Sequence, residues 1–285
     1  MQSKKMTPAK AGIYAVLTLW ALTTIYPIFW IIINSFKAKN AILADSFSLP
    51  FGALFTLANY QTAFERLNIF SAYRNSLLIS GTVAIVVVLI AGMASFALVR
   101  YQFRLKKVVN ALIIAGMMFP VFSTIIPVFR MLNAAHMANT SNLWLSLLSV
   151  ALPQIAGNLS FAIVVLSGYI RSLPIELEEA AYLEGCNAFQ IFFKIVMPLT
   201  KPSFATVAIF SFLWSYNDLF TQMFLLRLPE QRAITRLLNE LTSQEGTNYG
   251  LMAAAVALVV IPVIIVYIIL QKHIIKGMTA GAVKG

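Results

Sequence analysis

The sequence predicts an all-α, polytopic membrane protein, and three observations carry that prediction. Of its 285 residues, 60% are hydrophobic and only 11% are charged. The mean hydropathy is +0.82. Uncharged apolar runs, each of about the 20 residues that a bilayer-crossing helix requires, recur along the chain. An ordinary soluble domain carries about 25% charged residues, and one soluble core of this size could not bury so much apolar surface. The same composition excludes a disordered chain, collagen, a coiled coil and a disulfide-stapled secreted domain. A formal net charge of +11 would suggest nucleic acid in a soluble protein. In a chain this apolar it belongs to membrane topology, and no nucleic-acid partner is expected.

Unsatisfied backbone groups are too costly in lipid, so the apolar runs read as helices. Six spans are expected, at about 11–34, 75–99, 108–131, 143–170, 202–226 and 251–270, within a single transmembrane domain covering 1–285. Lys4, Lys5 and Lys10 precede the first run. That run is longer than the roughly 7–15 apolar residues of a secretory signal, and no A-x-A-like site follows it, so it reads as an uncleaved span. Asp218 interrupts the fifth run and makes it the weakest of the six. Pro27, Pro120, Pro127, Pro153 and Pro262 fall in the spans. Each removes a helix hydrogen bond and permits a kink, and bent helices suit a path that opens and closes, although packing alone also accounts for such prolines.

Basic loops resist translocation, so Lys and Arg set the orientation. With six spans, both termini share a side with the loops at 100–107 and 171–201. Thirteen of the 21 Lys and Arg residues fall there, four of them in the short segment Arg100–Lys107. That side reads as cytoplasmic. On the other side, Phe36–Arg74 and Arg227–Gly250 are too polar to span and too short for separate large domains. Ile234, Leu237, Leu238 and Leu241 recur at helical spacing in the second stretch, giving a short amphipathic helix that is either a connector packed on the bundle or a docking surface for an external partner.

Catalytic chemistry is not expected. The single cysteine, Cys186, leaves no intrachain disulfide. His136 and His273 fall on opposite sides of the membrane and cannot share a metal. None of the 13 glycines is followed by Lys, so no Walker A phosphate loop exists. No catalytic residue, metal or cofactor is therefore assigned. Asp218 is the only carboxylate within a span. One carboxylate near the outer end is thin support for a proton relay, and a capping or interfacial role is the simpler reading.

The most informative segment is the loop at 171–201, RSLPIELEEAAYLEGCNAFQIFFKIVMPLTK. Pro174 suits the first turn of a helix, and Glu176, Glu178 and Glu179 sit near its positive end. Gly185 suits the left-handed turn after that helix. Asn187 then offers an N-cap for a second helix, with Gln190 three residues on. Phe189, Phe192, Phe193 and Val196 form its apolar stripe, and Pro198 is expected to end it. The expectation is a helix–turn–helix held against the membrane, with its carboxylates and the small Ala180 and Ala181 exposed. Chemistry alone leaves this segment divided between a mere interfacial elbow and a surface that meets another protein.

The spacing adds a resemblance. Glu179-Ala-Ala, three residues, Gly185, nine residues and Ile195-Val-Met-Pro198 resembles the EAA loop of ABC importer permeases, with Met197 where Leu is usual. The ending Gly277-Met-Thr-Ala-Gly-Ala-Val-Lys-Gly285 is similar to the tail of the MalG-like permeases of carbohydrate (maltose-type) importers. So are Asn75-Ser-Leu-Leu, Ala97-Leu-Val-Arg-Tyr-Gln-Phe, Met118-Phe-Pro with Ile-Ile-Pro127, and Trp214-Ser-Tyr-Asn-Asp, where many relatives have Trp at Tyr216. The resemblance covers almost the whole chain and implies the type I ABC importer permease fold.

The resemblance also implies four kinds of partner. These are the membrane, a second homologous permease, two cytoplasmic ATP-binding subunits that hydrolyse the nucleotide, and an extracytoplasmic sugar-binding protein docking on the outer stretches. Glu179, Ala180, Ala181 and Gly185 would couple to an ATPase, and the tail residues Thr279, Gly281 and Lys284 would give a further contact. Aromatic, amide and hydroxyl chemistry makes Gln154, Asn158, Trp214, Tyr216 and Asn217 candidates for sugar contact. The family's partner permease supplies most of the sugar site, so no substrate residue is assigned. The competing readings are an ABC permease for a non-sugar solute, or a self-contained secondary carrier, which would carry inverted repeats or several buried charges.

Overall fold

The computed structural model describes residues 8–66, 68–244 and 248–282. It is all-α, with no strand among the described residues. The helices are α1 (Pro8–Ser35), α2 (Lys39–Ala44), α3 (Ala58–Arg66), α4 (Ile69–Arg100), α5 (Lys106–Gly116), α6 (Val121–Ala134), α7 (Leu143–Arg171), α8 (Glu176–Leu183), α9 (Ala188–Leu199), α10 (Lys201–Asn217), α11 (Leu219–Leu225), α12 (Ile234–Gln244) and α13 (Tyr249–Ala282). Among the described residues, four helical stretches are long and apolar enough to cross a membrane unbroken: α1, α4, α7 and Tyr249–Ile268 of α13.

Two of the six expected spans are broken. The run expected at 108–131 is split into α5 and α6, with a gap at Met117–Pro120. Pro120 has no N–H and disfavours helical dihedrals at Phe119; here the helix stops and restarts, with Pro120 as the extended N-cap of α6. The run at 202–226 stops at Asn217 and restarts at Leu219, with Asp218 extended between them. Pro27, Pro127, Pro153 and Pro262, by contrast, lie inside helices that continue past them.

The chain falls into two compact units. The larger comprises Ile69–Leu237 and Val263–Gly285, and its core is α4, α7 and α10. The buried face of α4 repeats every three to four residues through Ala72, Asn75, Ser76, Ile79, Ser80, Val83, Val87, Ala91, Gly92 and Ser95. Lipid tails are as apolar as Leu, so helices in a membrane associate through close packing and polar contacts rather than hydrophobic exclusion. The small residues of α4 permit that approach, and Ser95 donates to the Ile163 carbonyl of α7 at 3.0 Å. At Gly92 an added Cβ would stand 2.6 Å from the ring of Phe204 on α10.

The smaller unit comprises Met1–Asn68 and Leu238–Pro262. The end of α1 and the loop after it are closed by side-chain bonds to backbone. Asn34 donates to the Ser46 carbonyl at 3.0 Å, and Asn59 donates to the carbonyls of Ser35 and Lys37 at 2.9 and 2.8 Å. The fully buried Lys37 ammonium donates to the Asp45 carbonyl and the Ser48 hydroxyl, both at 3.1 Å. Gly250 of α13 lies against the Lys37 carbonyl so closely that no Cβ fits.

Gly250→Ala should therefore destabilise the chain by roughly 1–3 kcal/mol, because the obstructing atom is backbone and cannot rotate away. Gly81→Ala, at a helical site with nothing within 4 Å, should be neutral or stabilising. Thermal unfolding of the purified variants in detergent compares the two, and equal midpoints would contradict the packing described.

Candidate functional site

The loop at 171–201 folds into an elbow whose every turn has a sequence cause. α7 ends at Arg171, and α8 begins two residues after Pro174. α8 closes in a Schellman turn: Gly185 at φ +81° donates to the Tyr182 carbonyl and Cys186 donates to that of Ala181, both at 3.0 Å. Asn187 and Gln190 then form a reciprocal capping box at 3.0 and 2.9 Å, opening α9. α9 and α10 meet at an 84° bend. There the Thr200 hydroxyl bonds the Val196 carbonyl at 2.6 Å, and Pro202 starts the next helix.

Four expectations about the elbow are corrected. Pro198 does not end the second helix, which runs to Leu199. Instead Phe192–Val196 widen into a π-turn, which relieves the clash of the Pro198 ring with the preceding turn. The apolar stripe is divided, with Phe192 and Val196 buried and Phe189 and Phe193 exposed. Ala181 is buried in the main core, whereas Ala180 is exposed. Glu178 turns inward, leaving Glu176, Glu179 and Glu184 on the surface.

What holds Glu178 is Arg100, the last residue of α4. Its Nε donates to Glu178 Oε1 at 2.7 Å, and its Nη2 donates to the carbonyls of Ile170 and Leu173 at 3.0 Å each. Both side chains are nearly removed from solvent, 11% and 6% exposed. One guanidinium thus ties the ends of α4 and α7 to the first turn of α8, using the fixed fork that Lys lacks. Beside it the Tyr101 and Tyr182 hydroxyls share a bond of 2.8 Å. That bond, with burial and the nearby Glu178 charge, pushes the Tyr101 phenol up to about 12. Phe96 packs on Phe192 at 5.8 Å beneath the pair. The surface left to a partner carries Glu179, Ala180, Gly185 and Leu183, the last 90% exposed. Of the tail residues, Thr279 and Gly281 lie in the final turns of α13, and Lys284 falls outside the described residues.

A second feature lies at the helix break in the same unit, where a cavity of about 500 Å³ opens between α5, α6, α7, α10 and α11. Asp218 caps α11 by accepting the Thr221 amide at 3.0 Å, and its other oxygen accepts from Gln154 Nε2 of α7 at 2.8 Å. Gln154 in turn accepts from the Ser215 hydroxyl. Asn158 donates to the Gln154 carbonyl at 2.8 Å. Trp214, 48% exposed, packs on Phe161 with centroids 4.9 Å apart. Of the five sugar-contact candidates, Gln154, Asn158 and Trp214 line this cavity. Tyr216 is buried elsewhere, and Asn217 turns back to the Leu213 carbonyl. Ser215, Asp218 and Thr221, which also line it, were not among the candidates. A lone carboxylate inside an apolar run was the available signal.

The unbroken and broken apolar helices define a polytopic membrane protein. The chain belongs to the family described as binding-protein-dependent transport system inner membrane component, whose model matches residues 87–280. That family is the membrane component of ABC importers and is not an enzyme. The chain is 31% identical over 271 residues to the diacetylchitobiose uptake system permease NgcG of Streptomyces coelicolor, covering 94% of this chain and 87% of the relative. It is 31% identical over 260 residues to the melibiose/raffinose/stachyose import permease MelC of Bacillus subtilis, covering 91% of each. Among solved structures, a chain of a bacterial ABC transporter involved in import of the acidic polysaccharide alginate superposes with a TM-score of 0.77 at 22% identity, covering 95% of this chain and 98% of that one. This last likeness establishes the fold.

Removing either partner of the Arg100–Glu178 pair leaves an uncompensated buried charge, so Arg100→Ala and Glu178→Ala should each cost roughly 3–5 kcal/mol. The double variant should cost much less than their sum. Unfolding midpoints of the four proteins in detergent close this cycle, and additive single effects would contradict the clamp.

Proposed function

We propose that this chain is one of two permeases in a binding-protein-dependent importer of oligosaccharides, and that the elbow is where it is driven. The observation that carries the reading is the elbow itself: Glu179 and Ala180 stand exposed on α8 and Gly185 on the turn after it, while the opposite face of α8 is clamped to the bundle by Arg100. A carboxylate, a methyl-sized side chain and a left-handed glycine give a partner a polar contact, close approach and a fixed turn. An ATP-binding subunit that grips this surface moves the ends of α4 and α7 with it. Two such subunits closing on nucleotide bias the permease between two packings, which is alternating access by rigid-body motion. The tail residues Thr279, Gly281 and Lys284 provide a second contact to the ATPases.

The orientation follows from the basic loops, with both termini, Arg100–Lys107 and the elbow cytoplasmic. The broken segments 106–134 and 201–225 complete six crossings with the four unbroken helices. The outer stretches at 36–74 and 227–250 receive the sugar-binding protein. The oligosaccharide cargo rests on the uptake systems named for NgcG and MelC and on the likeness of the tail.

Glu179→Lys combined with Gly185→Pro should abolish uptake while the permease still reaches the membrane and assembles with its partner permease. Labelled-sugar uptake and a membrane pull-down read the two properties separately. Undiminished uptake by the double variant would rule out the elbow as the driven element.

A further inference from the structure

The resemblance assigns most of the sugar site to the partner permease, yet this chain has a cavity of its own, mostly apolar with a few convergent polar groups, whose chemistry is selective. Its wall carries a carboxylate and a hydrogen-bonded amide, Asp218 and Gln154, 2.8 Å apart. Next to them Asn158, 9% exposed, has committed its amide hydrogen to the Gln154 carbonyl, while its Oδ1 is a buried acceptor with no partner. Buried acceptors of this kind are uncommon and mark places where a group is missing. On the same wall Trp214 presents a half-exposed ring, held from behind by Phe161 and Phe210 at 4.9 and 6.1 Å. A flat apolar face beside convergent donors and acceptors is what a pyranose requires, since its ring is apolar on its faces and hydroxylated around its edge. The volume of about 500 Å³ lies within the range for small-ligand sites, about 300–1,000 Å³.

The charge decides which sugar. Among the described residues lining the cavity, Asp218 is the one ionisable side chain, and no Lys or Arg faces it. A carboxylate in a poorly polarisable surrounding repels a second one strongly at short range. A neutral sugar hydroxyl, by contrast, donates to Asp218 and accepts from Gln154, replacing the bond that joins the two side chains in the empty cavity.

We propose that this cavity is a sugar subsite belonging to the chain itself, that it holds part of a neutral oligosaccharide on Asp218, Gln154, Asn158 and Trp214, and that Asp218 excludes uronic-acid sugars. The proposal rests on the oligosaccharide-importer reading, and its test separates the two. The assembled importer, without binding protein, is titrated in nanodiscs with raffinose, diacetylchitobiose, maltotriose and trigalacturonate by saturation-transfer NMR, while uptake of the same sugars is measured in cells with and without this chain.

At least one neutral sugar should bind, and trigalacturonate should not. Asp218→Asn keeps an acceptor for the Thr221 amide, because Asn caps a helix as well as Asp does, so α11 should survive. This variant should weaken neutral-sugar binding about tenfold, the usual loss for a hydrogen bond to a charged group, and should admit trigalacturonate. Asn158→Leu, which changes no charge, should weaken the neutral sugar without admitting the acid. Chain-dependent uptake of a neutral sugar that does not bind the complex, or binding unchanged in both variants, would overturn the subsite and leave the importer reading intact. Absence of chain-dependent uptake for every sugar tested would overturn both.

Discussion

The placement of the elbow's exposed face depends on one buried guanidinium. Arg100 accepts no substitute geometry: its Nε is spent on Glu178 and its Nη2 on two carbonyls at the end of α7. A buried ion pair contributes little net stability against a well-packed apolar alternative, because desolvation offsets the attraction. Its contribution here is positional. Arg100 bonds the Ile170 carbonyl in the last turn of α7 and the Leu173 carbonyl just beyond it, and so fixes the direction in which α8 departs. Glu178 gains a partner and loses its place on the surface. Glu179, the next residue, faces outward as a consequence of the same geometry.

A second constraint acts within the membrane, where no water can satisfy a broken helix. The interruption of the fifth run is met by local polar devices. At Asp218 the break is closed by the aspartate's own cap on Thr221 and by Gln154 from the neighbouring helix. Gln222, fully buried one turn further on, donates to the Ser215 carbonyl at 3.3 Å and accepts from Thr235 at the start of α12. Asn75 and Ser76 of α4 bond the backbone of Glu230, Arg232 and Ile234. The loop entering α12 is thus joined through side chains to the wall of the cavity. These polar groups sit where irregular backbone needs them, the one arrangement that permits such backbone at membrane depth.

Most of the fold was legible in the sequence because the membrane imposes long uniform runs. α1, α4, α7 and α13 fall where hydropathy places them, and the elbow's caps were readable because Gly185, Asn187 and Gln190 act within a few residues of themselves. Pro120 predicts a kink in the third run, but not the full break at Met117–Pro120. Hydropathy does not register a backbone break, and Pro127 in the same run is absorbed without one. The inward turn of Glu178 was hidden for a different reason, since its partner lies 78 residues away. The burial of Ala181 follows from the same rotation of α8. At the cavity, amide and aromatic chemistry picked out Gln154, Asn158 and Trp214. Tyr216 and Asn217 share that chemistry but face other directions around α10. A lone carboxylate in an apolar run suggests a capping or interfacial group; Asp218 does cap α11, and its other oxygen accepts from Gln154.

The central claim is that the elbow and the bundle move as one body, so that force applied at Glu179 reaches the cavity wall through Arg100. Spin labels at Phe103, just beyond α4, and at Leu183, on the exposed end of α8, test this in the assembled importer with Cys186 replaced by Ser. The distance distribution between them should be the same in nucleotide-free and ATP-bound states. A distribution that shifts or broadens on nucleotide binding would contradict the account, because the elbow would then be hinged to the bundle rather than clamped to it.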